Sequence, residues 1–117
     1  MDLAKTTFWK YPRTAATTVV IGDSQLKYVH QYFNPHQRGA PAFITQPGAR
    51  IEDVHFLLDF VPDTTRTLVL HVGTNDLSSA SGATAFHKYR SLIDYIRIER
   101  PKISRIYVSL ILPRSRN

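Results

Sequence analysis

The sequence predicts an open α/β domain with a mostly parallel sheet. Short β-branched apolar runs alternate with amphipathic helical stripes along the 117 residues, and each run breaks into a polar elbow. The runs are continuous rather than alternating, as in strands covered on both faces.

Residues 1–16 are a polar, aromatic lead segment in which Phe8, Trp9 and Tyr11 are interleaved with Lys10 and Arg13. Such a segment packs against a sheet edge or stacks on bases. The first strand is expected over residues 17–22. Leu26, Val29 and Phe33 then recur at helical spacing, so a short helix should open at Ser24 and close near Asn34-Pro35. A weaker second strand covers residues 42–46 and ends at Pro47-Gly48. Ile51, Val54, Leu57, Leu58 and Val61 form one helical stripe, stopped by Pro62.

The third strand is expected over residues 67–72, and a small-residue loop over 78–82 leads to the longest helix. Phe86, Tyr89, Leu92, Ile93 and Ile96 make its core face, and Lys88, Arg90, Asp94 and Arg97 its wet face. Pro101 ends it, and residues 105–112 read as the fourth strand. Strands alternating with helices imply parallel pairing through right-handed crossovers.

A chain of this length is one domain. No apolar stretch approaches the roughly 20 residues that span a bilayer, and Met1-Asp2-Leu3-Ala4-Lys5 is followed by no secretory apolar core. A cytoplasmic or nuclear protein with no membrane partner is expected. With no cysteine, disulfides and thiolate metal sites are excluded. No His/Asp/Glu cluster has metal-ligand spacing and no glycine-rich phosphate loop occurs, so neither metal nor cofactor is implied.

The net charge of +6 lies at one end: residues 1–87 hold seven Lys/Arg against seven Asp/Glu, and residues 88–117 hold eight against two. Arg97, Arg100, Lys102 and Arg105 are the candidate nucleic-acid face. A solvated helix flank with a basic tail is the plainer reading of the same residues.

Gly22-Asp23-Ser24 ends the first apolar run, and Gly73-Thr74-Asn75-Asp76 follows the third. In an open α/β sheet the ligand crevice lies at the carboxyl ends of the strands, which puts a serine hydroxyl and an asparagine amide on one rim. These blocks, with Gln46-Pro47-Gly48-Ala49-Arg50 between them, resemble the SGNH (GDSL-type) hydrolases. The resemblance implies a three-layer flavodoxin-like fold with sheet order 2-1-3-4 for the strands present. It implies Ser24 as nucleophile toward a small ester, and the Ser24 N–H, the Gly48 N–H and the Asn75 side chain as oxyanion donors. Gly22, Asp23, Gly73 and Asp76 would support the elbows, Asp23 by bonding neighbouring amides.

The family's last block, Asp-x-x-His, is absent from the sequence. The resemblance therefore covers residues 17–117 as about the first two-thirds of such a domain, with its fifth strand missing and the fourth expected as an exposed apolar edge open to self-association. Weak or no activity follows. Of the histidines, His71 reads as a packed strand residue, His55 and His87 lie on helices, and His30 and His36 flank the first helix. None has an aspartate three residues ahead. Gly73-Thr74-Asn75-Asp76 together with Ile111-Leu112-Pro113-Arg114 is similar to SGNH domains in first open reading frames of some non-LTR retroelements. Oskar-type proteins, whose SGNH-like domain binds RNA without catalytic residues, give the resemblance a non-enzymatic alternative.

Overall fold

A computed structural model describes residues 7–9, 16–26, 29–32, 34, 37, 39–73, 76 and 81–109. Its sheet has five strands: β1 (Thr7–Trp9), β2 (Thr18–Gly22), β3 (Ala42–Thr45), β4 (Thr67–His71) and β5 (Arg105–Val108). They lie in the order β1-β3-β2-β4-β5. The four strands β2 to β5 are parallel neighbours and reproduce the expected flavodoxin-like order 2-1-3-4. β1, from the lead segment, adds antiparallel to the outer edge of β3. Of the two readings of that segment, residues 7–9 follow the sheet-edge one.

Register assigns the faces. Ala42, Ile44, Val19, Ile21, Leu68, Leu70 and Ile106 share one face, and it is covered by the helical layer. That layer comprises a 3-10 turn at Ile51–Asp53, α1 (Val54–Leu57), a second turn at Leu58–Phe60, and α2 (Gly82–Glu99). The stripe Ile51, Val54, Leu57, Leu58 and Val61 is buried throughout, with Leu92 and Ile96 of α2 against it. The other face carries Phe43, Val20, Val69 and Tyr107 across the strands, and its cover thins in that direction. Phe43 is 3% exposed and Tyr107 55%, with Val20 and Val69 half-buried between them. Burial on both faces thus holds for β3 and fails progressively toward β5.

Three expected elements differ. The helix at Ser24 is a pair of 3-10 turns, Ser24–Leu26 and Val29–Tyr32. Helices shorter than about 12 residues need packing to persist, and here Leu26 and Val29 are only half-buried and Tyr32 is exposed; Phe33 lies outside the described residues. α2 is rotated from the expected face, so that Ala85 is buried and Phe86 is 69% exposed. Spacing explains it: 85, 89, 92 and 96 recur at four, three and four residues, and Phe86 lies about 100° round the helix from Ala85. Ser81 caps this helix by accepting from the Thr84 N–H at 3.2 Å. β5 is described as four residues, with Ile106 half-buried and Arg105, Tyr107 and Val108 exposed; residues 110–112 of the expected fourth strand lie outside the described residues.

Hydrogen bonds close the amino ends of the strands. Thr64 and Thr65 hydroxyls both donate to the Ala16 carbonyl at 3.0 Å, and Ser104 N–H reaches the Arg66 carbonyl at 2.8 Å. The Arg100 guanidinium donates to the Leu58 and Val61 carbonyls, each at 2.6 Å, tying the end of α2 to the turn after α1. Arg100→Met should lower stability by about 1.5–3 kcal/mol, the usual worth of hydrogen bonds to a charged group. Arg100→Lys should recover only part of it, since one ammonium lacks the planar fork. Urea denaturation of the two variants measures both.

Candidate active site

Ser24 follows β2, Gly48 follows β3 and Gly73 follows β4, so three sequence blocks converge on the carboxyl rim of three adjacent parallel strands. At the first elbow Gly22 is buried, and a Cβ there would lie 2.2 Å from Leu26 Cδ1 and 3.1 Å from the His71 carbonyl oxygen. Asp23 is also buried, at 2% exposure, while Ser24 stands in solvent. The first bond of the 3-10 turn runs from the Leu26 N–H to the Asp23 carbonyl at 3.1 Å. The amides of Ser24 and Gln25 precede that bond, so the turn itself supplies them no acceptor.

Gln46-Pro47-Gly48-Ala49 is a type II turn, with proline second, glycine third at φ +72°, and Ala49 N–H bonded to the Gln46 carbonyl at 3.1 Å. Space is not what requires glycine: a Cβ on Gly48 would meet nothing within 4 Å. The positive φ is. The third elbow bends at Gly73, φ +126°. Thr74 and Asn75 lie outside the described residues, whereas Asp76 is described and 0% exposed.

The elbows are tied pairwise. Gln46 N–H donates to the Gly22 carbonyl at 3.0 Å, and Asp23 N–H to the His71 carbonyl at 3.3 Å. Asp76 Oδ2 accepts from the Ile51 N–H at 3.0 Å, joining the third block to the chain just past the second. Asp76 Oδ1 accepts from Lys88 Nζ at 3.2 Å, and the same ammonium meets Glu52 Oε2 at 3.1 Å. Tyr89 O–H donates to the Val72 carbonyl. Lys88, expected on the wet face of α2, instead turns its ammonium to the Asp76 and Glu52 carboxylates. The available signal was position: Lys88 lies three residues after Ala85 and four before Leu92, on the border of the core stripe.

Among the histidines, His71 ends β4 in register with Gly22. His55 lies on the helical layer, its ring edge-on to Tyr95 at 4.5 Å. With His87, Glu52, Thr84, Lys88 and Ser91 it lines a groove of about 350 Å³ between α1 and α2. His36 lies outside the described residues, as do Ile111-Leu112-Pro113-Arg114. Among the described residues no group of His, Asp and Glu is arranged to hold a metal, and no helix is long and apolar enough to cross a membrane. Of the four basic candidates, Arg97, Lys102 and Arg105 are exposed, and Arg100 is turned onto backbone carbonyls. They sit where α2 ends and β5 begins, at the opposite end of the sheet from Ser24.

No protein-family profile matches the chain, and no curated protein does. Among solved structures, the chain is similar to the esterase domain of the ZfL2-1 ORF1 protein from the zebrafish ZfL2-1 retrotransposon, at 26% identity and a TM-score of 0.43. The match covers 73% of this chain and 51% of that one, so this chain spans about half of the other's length.

Burial pushes the Tyr89 phenol up to about 12 from 10.0, against the opposing effect of its bond to Val72. Bonds first to Glu52 and then to Asp76 hold the Lys88 ammonium above the ordinary 10.5. In both cases the folded chain keeps a proton that the unfolded chain gives up first, so both contributions are full below about pH 10 and are lost as pH rises, that of Tyr89 as pH passes through about 12. Tyr89→Phe should cost about 0.5–1.5 kcal/mol at neutral pH, and its deficit against the parent should shrink above about pH 10 as the parent loses the phenol contribution. Urea melts at about pH 8 and about pH 11 test this.

Proposed function

We propose that the chain is an ester-hydrolase domain of the SGNH type, with Ser24 as nucleophile and the Ser24 N–H, Gly48 N–H and Asn75 side-chain amide as oxyanion donors. The observation that carries this reading is the set of bonds at the rim: Gln46 to Gly22 between the first two elbows, Asp23 to His71 from the first elbow to the end of β4, and Ile51, just past the second elbow, to Asp76 of the third. Donors act on a developing charge in proportion to how firmly they are held before the reaction. Three blocks that are ordinary turns singly are here fixed to one another.

Ser24 Oγ adds to the ester carbonyl carbon, and the carbonyl π electrons move onto oxygen to form the oxyanion. Its collapse expels the alcohol, which takes up a proton, and water then cleaves the acyl-serine. In the family the Ser24 proton passes to the imidazole of Asp-x-x-His, a block this sequence does not contain; here the proton goes to solvent, and weak turnover is the expected outcome. The finer placement, with the retroelement-associated SGNH domains, rests on the Gly73-Thr74-Asn75-Asp76 block and Ile111-Leu112-Pro113-Arg114.

With a short-chain nitrophenyl ester at about pH 8, turnover should stay well below about 1 per second, where a median enzyme reaches about 10. Turnover above that level which Ser24→Ala abolishes would place the base within this sequence, with His71 the first to substitute. Turnover unaffected by Ser24→Ala would overturn the nucleophile.

A second reading, a nucleic-acid-binding domain, is favoured by Arg97, Lys102 and Arg105, which are exposed and make no ion pair among the described residues. Arg105 shares the open sheet face with Tyr107, an aromatic placed for stacking. Binding to labelled single-stranded RNA should then weaken with salt at a log-log slope of about −0.7 per phosphate contacted. Reversing these three residues to Glu should abolish it. Anisotropy showing nothing tighter than about 10⁻⁴ M at 50 mM salt would remove this reading.

A further inference from the structure

Asp76 is a buried charged side chain at the rim with partners on two other elements. One of its oxygens accepts the backbone N–H of Ile51, three residues after Gly48, and the other takes the Lys88 ammonium from α2. Asp76 is also the residue that follows Asn75 in the sequence. Two of the assigned oxyanion donors thus belong to chain segments that meet through a single carboxylate.

That carboxylate poses an electrostatic problem for the site. A full negative charge with no exposure to water, adjacent in sequence to a donor for a developing oxyanion, opposes the charge the donors are there to stabilise. A buried carboxylate is also costly unless paired and hydrogen-bonded. Lys88 answers both demands, being partly exposed itself and shared with Glu52 at its outer side.

We infer that Asp76 and Lys88 form a positioning pair for the oxyanion hole, in which Asp76 braces the chain that follows Gly48 through the Ile51 amide and Lys88 neutralises the charge that this bracing brings to the site. The inference rests on the proposed SGNH-type reading. Neither residue touches substrate: Asp76 acts through the Ile51 amide, and Lys88 acts through Asp76. The pair also accounts for a carboxylate at this position, because a carboxylate can accept from the amide and from the ammonium at once. An asparagine turned to accept from Ile51 would point its NH₂ donors at Lys88.

The test uses phenylboronic acid with the full chain, because adduct formation reports the hole without a general base. Ser24 Oγ–H adds to trigonal boron, the proton leaves to solvent, and boron becomes a tetrahedral anion resembling the oxyanion intermediate. Boron-11 NMR and calorimetry give the affinity, with Ser24→Ala as the blank and thermal melts verifying folding. Lys88→Met should weaken binding by about an order of magnitude, within the usual range for coupled neighbours. Asp76→Asn should weaken it similarly, while the double variant D76N/K88M should bind better than Lys88→Met alone, since the amide keeps an acceptor for Ile51 and the uncompensated charge is gone.

A merely structural pair would shift the melting temperature and leave the affinity of the folded protein unchanged, with no recovery in the double variant. Unchanged affinity in folded Lys88→Met overturns the inference and leaves the SGNH-type reading standing. Absence of any Ser24-dependent adduct in the parent overturns both. Because Lys88 is partly exposed, Lys88→Met carries the test even if Asp76→Asn does not fold.

Discussion

The arrangement of the rim depends on β2 lying between β3 and β4 with its backbone paired on both sides. A strand so placed has no freedom to shift by one residue, because the slip would carry Val19 and Ile21 out of the apolar face and bring Thr18 and Val20 into it. Register is therefore fixed by burial rather than by the elbows. Once it is fixed, Gly22, Thr45 and His71 end level with one another, and the loops that follow are obliged to begin side by side. The geometry of the rim is in this sense a by-product of packing the faces of the same strands.

Polar groups then decide what the loops do after they begin. Most of the core is aliphatic, and among the described residues Asp23, Thr45, Gln46, Thr65 and Asp76 are its buried polar ones. Four of these five stand at or beyond the carboxyl ends of β2, β3 and β4, where backbone leaves the ladder and needs partners from elsewhere. Thr65 serves the same need at the amino end, through the Ala16 carbonyl. An apolar residue in place of Asp76 would leave the Ile51 amide buried without that acceptor, so its identity is dictated by backbone accounting as well as by charge.

The strands and the buried stripe of residues 51–61 were legible in the sequence because continuous β-branched runs and i, i+3, i+4, i+7 spacing report directly on burial. The elbows were legible because Gly22, Gly48 and Gly73 each mark a backbone position with its own reason for lacking a side chain, crowding in the first and positive φ in the others. The element after Ser24 was misread because periodicity does not report how much cover a stripe receives, and Leu26 and Val29 receive little. Lys88 and Arg100 escaped for a related reason. Sequence patterning treats a cation as solvent-facing, whereas long stems let both lay their heads against carbonyls or carboxylates beneath the surface. The helical face of Phe86 failed by one position, where a small residue, Ala85, took the core and an aromatic beside it did not.

The uneven cover of the sheet has a consequence for how the molecule breathes. From Phe43 to Tyr107 the free face passes from 3% to 55% exposure, and of the β5 residues only Ile106 is drawn into the core from the other side. Free energies of local opening follow such differences in contact, so amide exchange should start at β5 and spread inward, reaching β2 only when the whole domain opens. The elbows hang from β2, β3 and β4, the deep end of that gradient. Fluctuations at the thin edge can therefore be frequent without ever dismantling the rim.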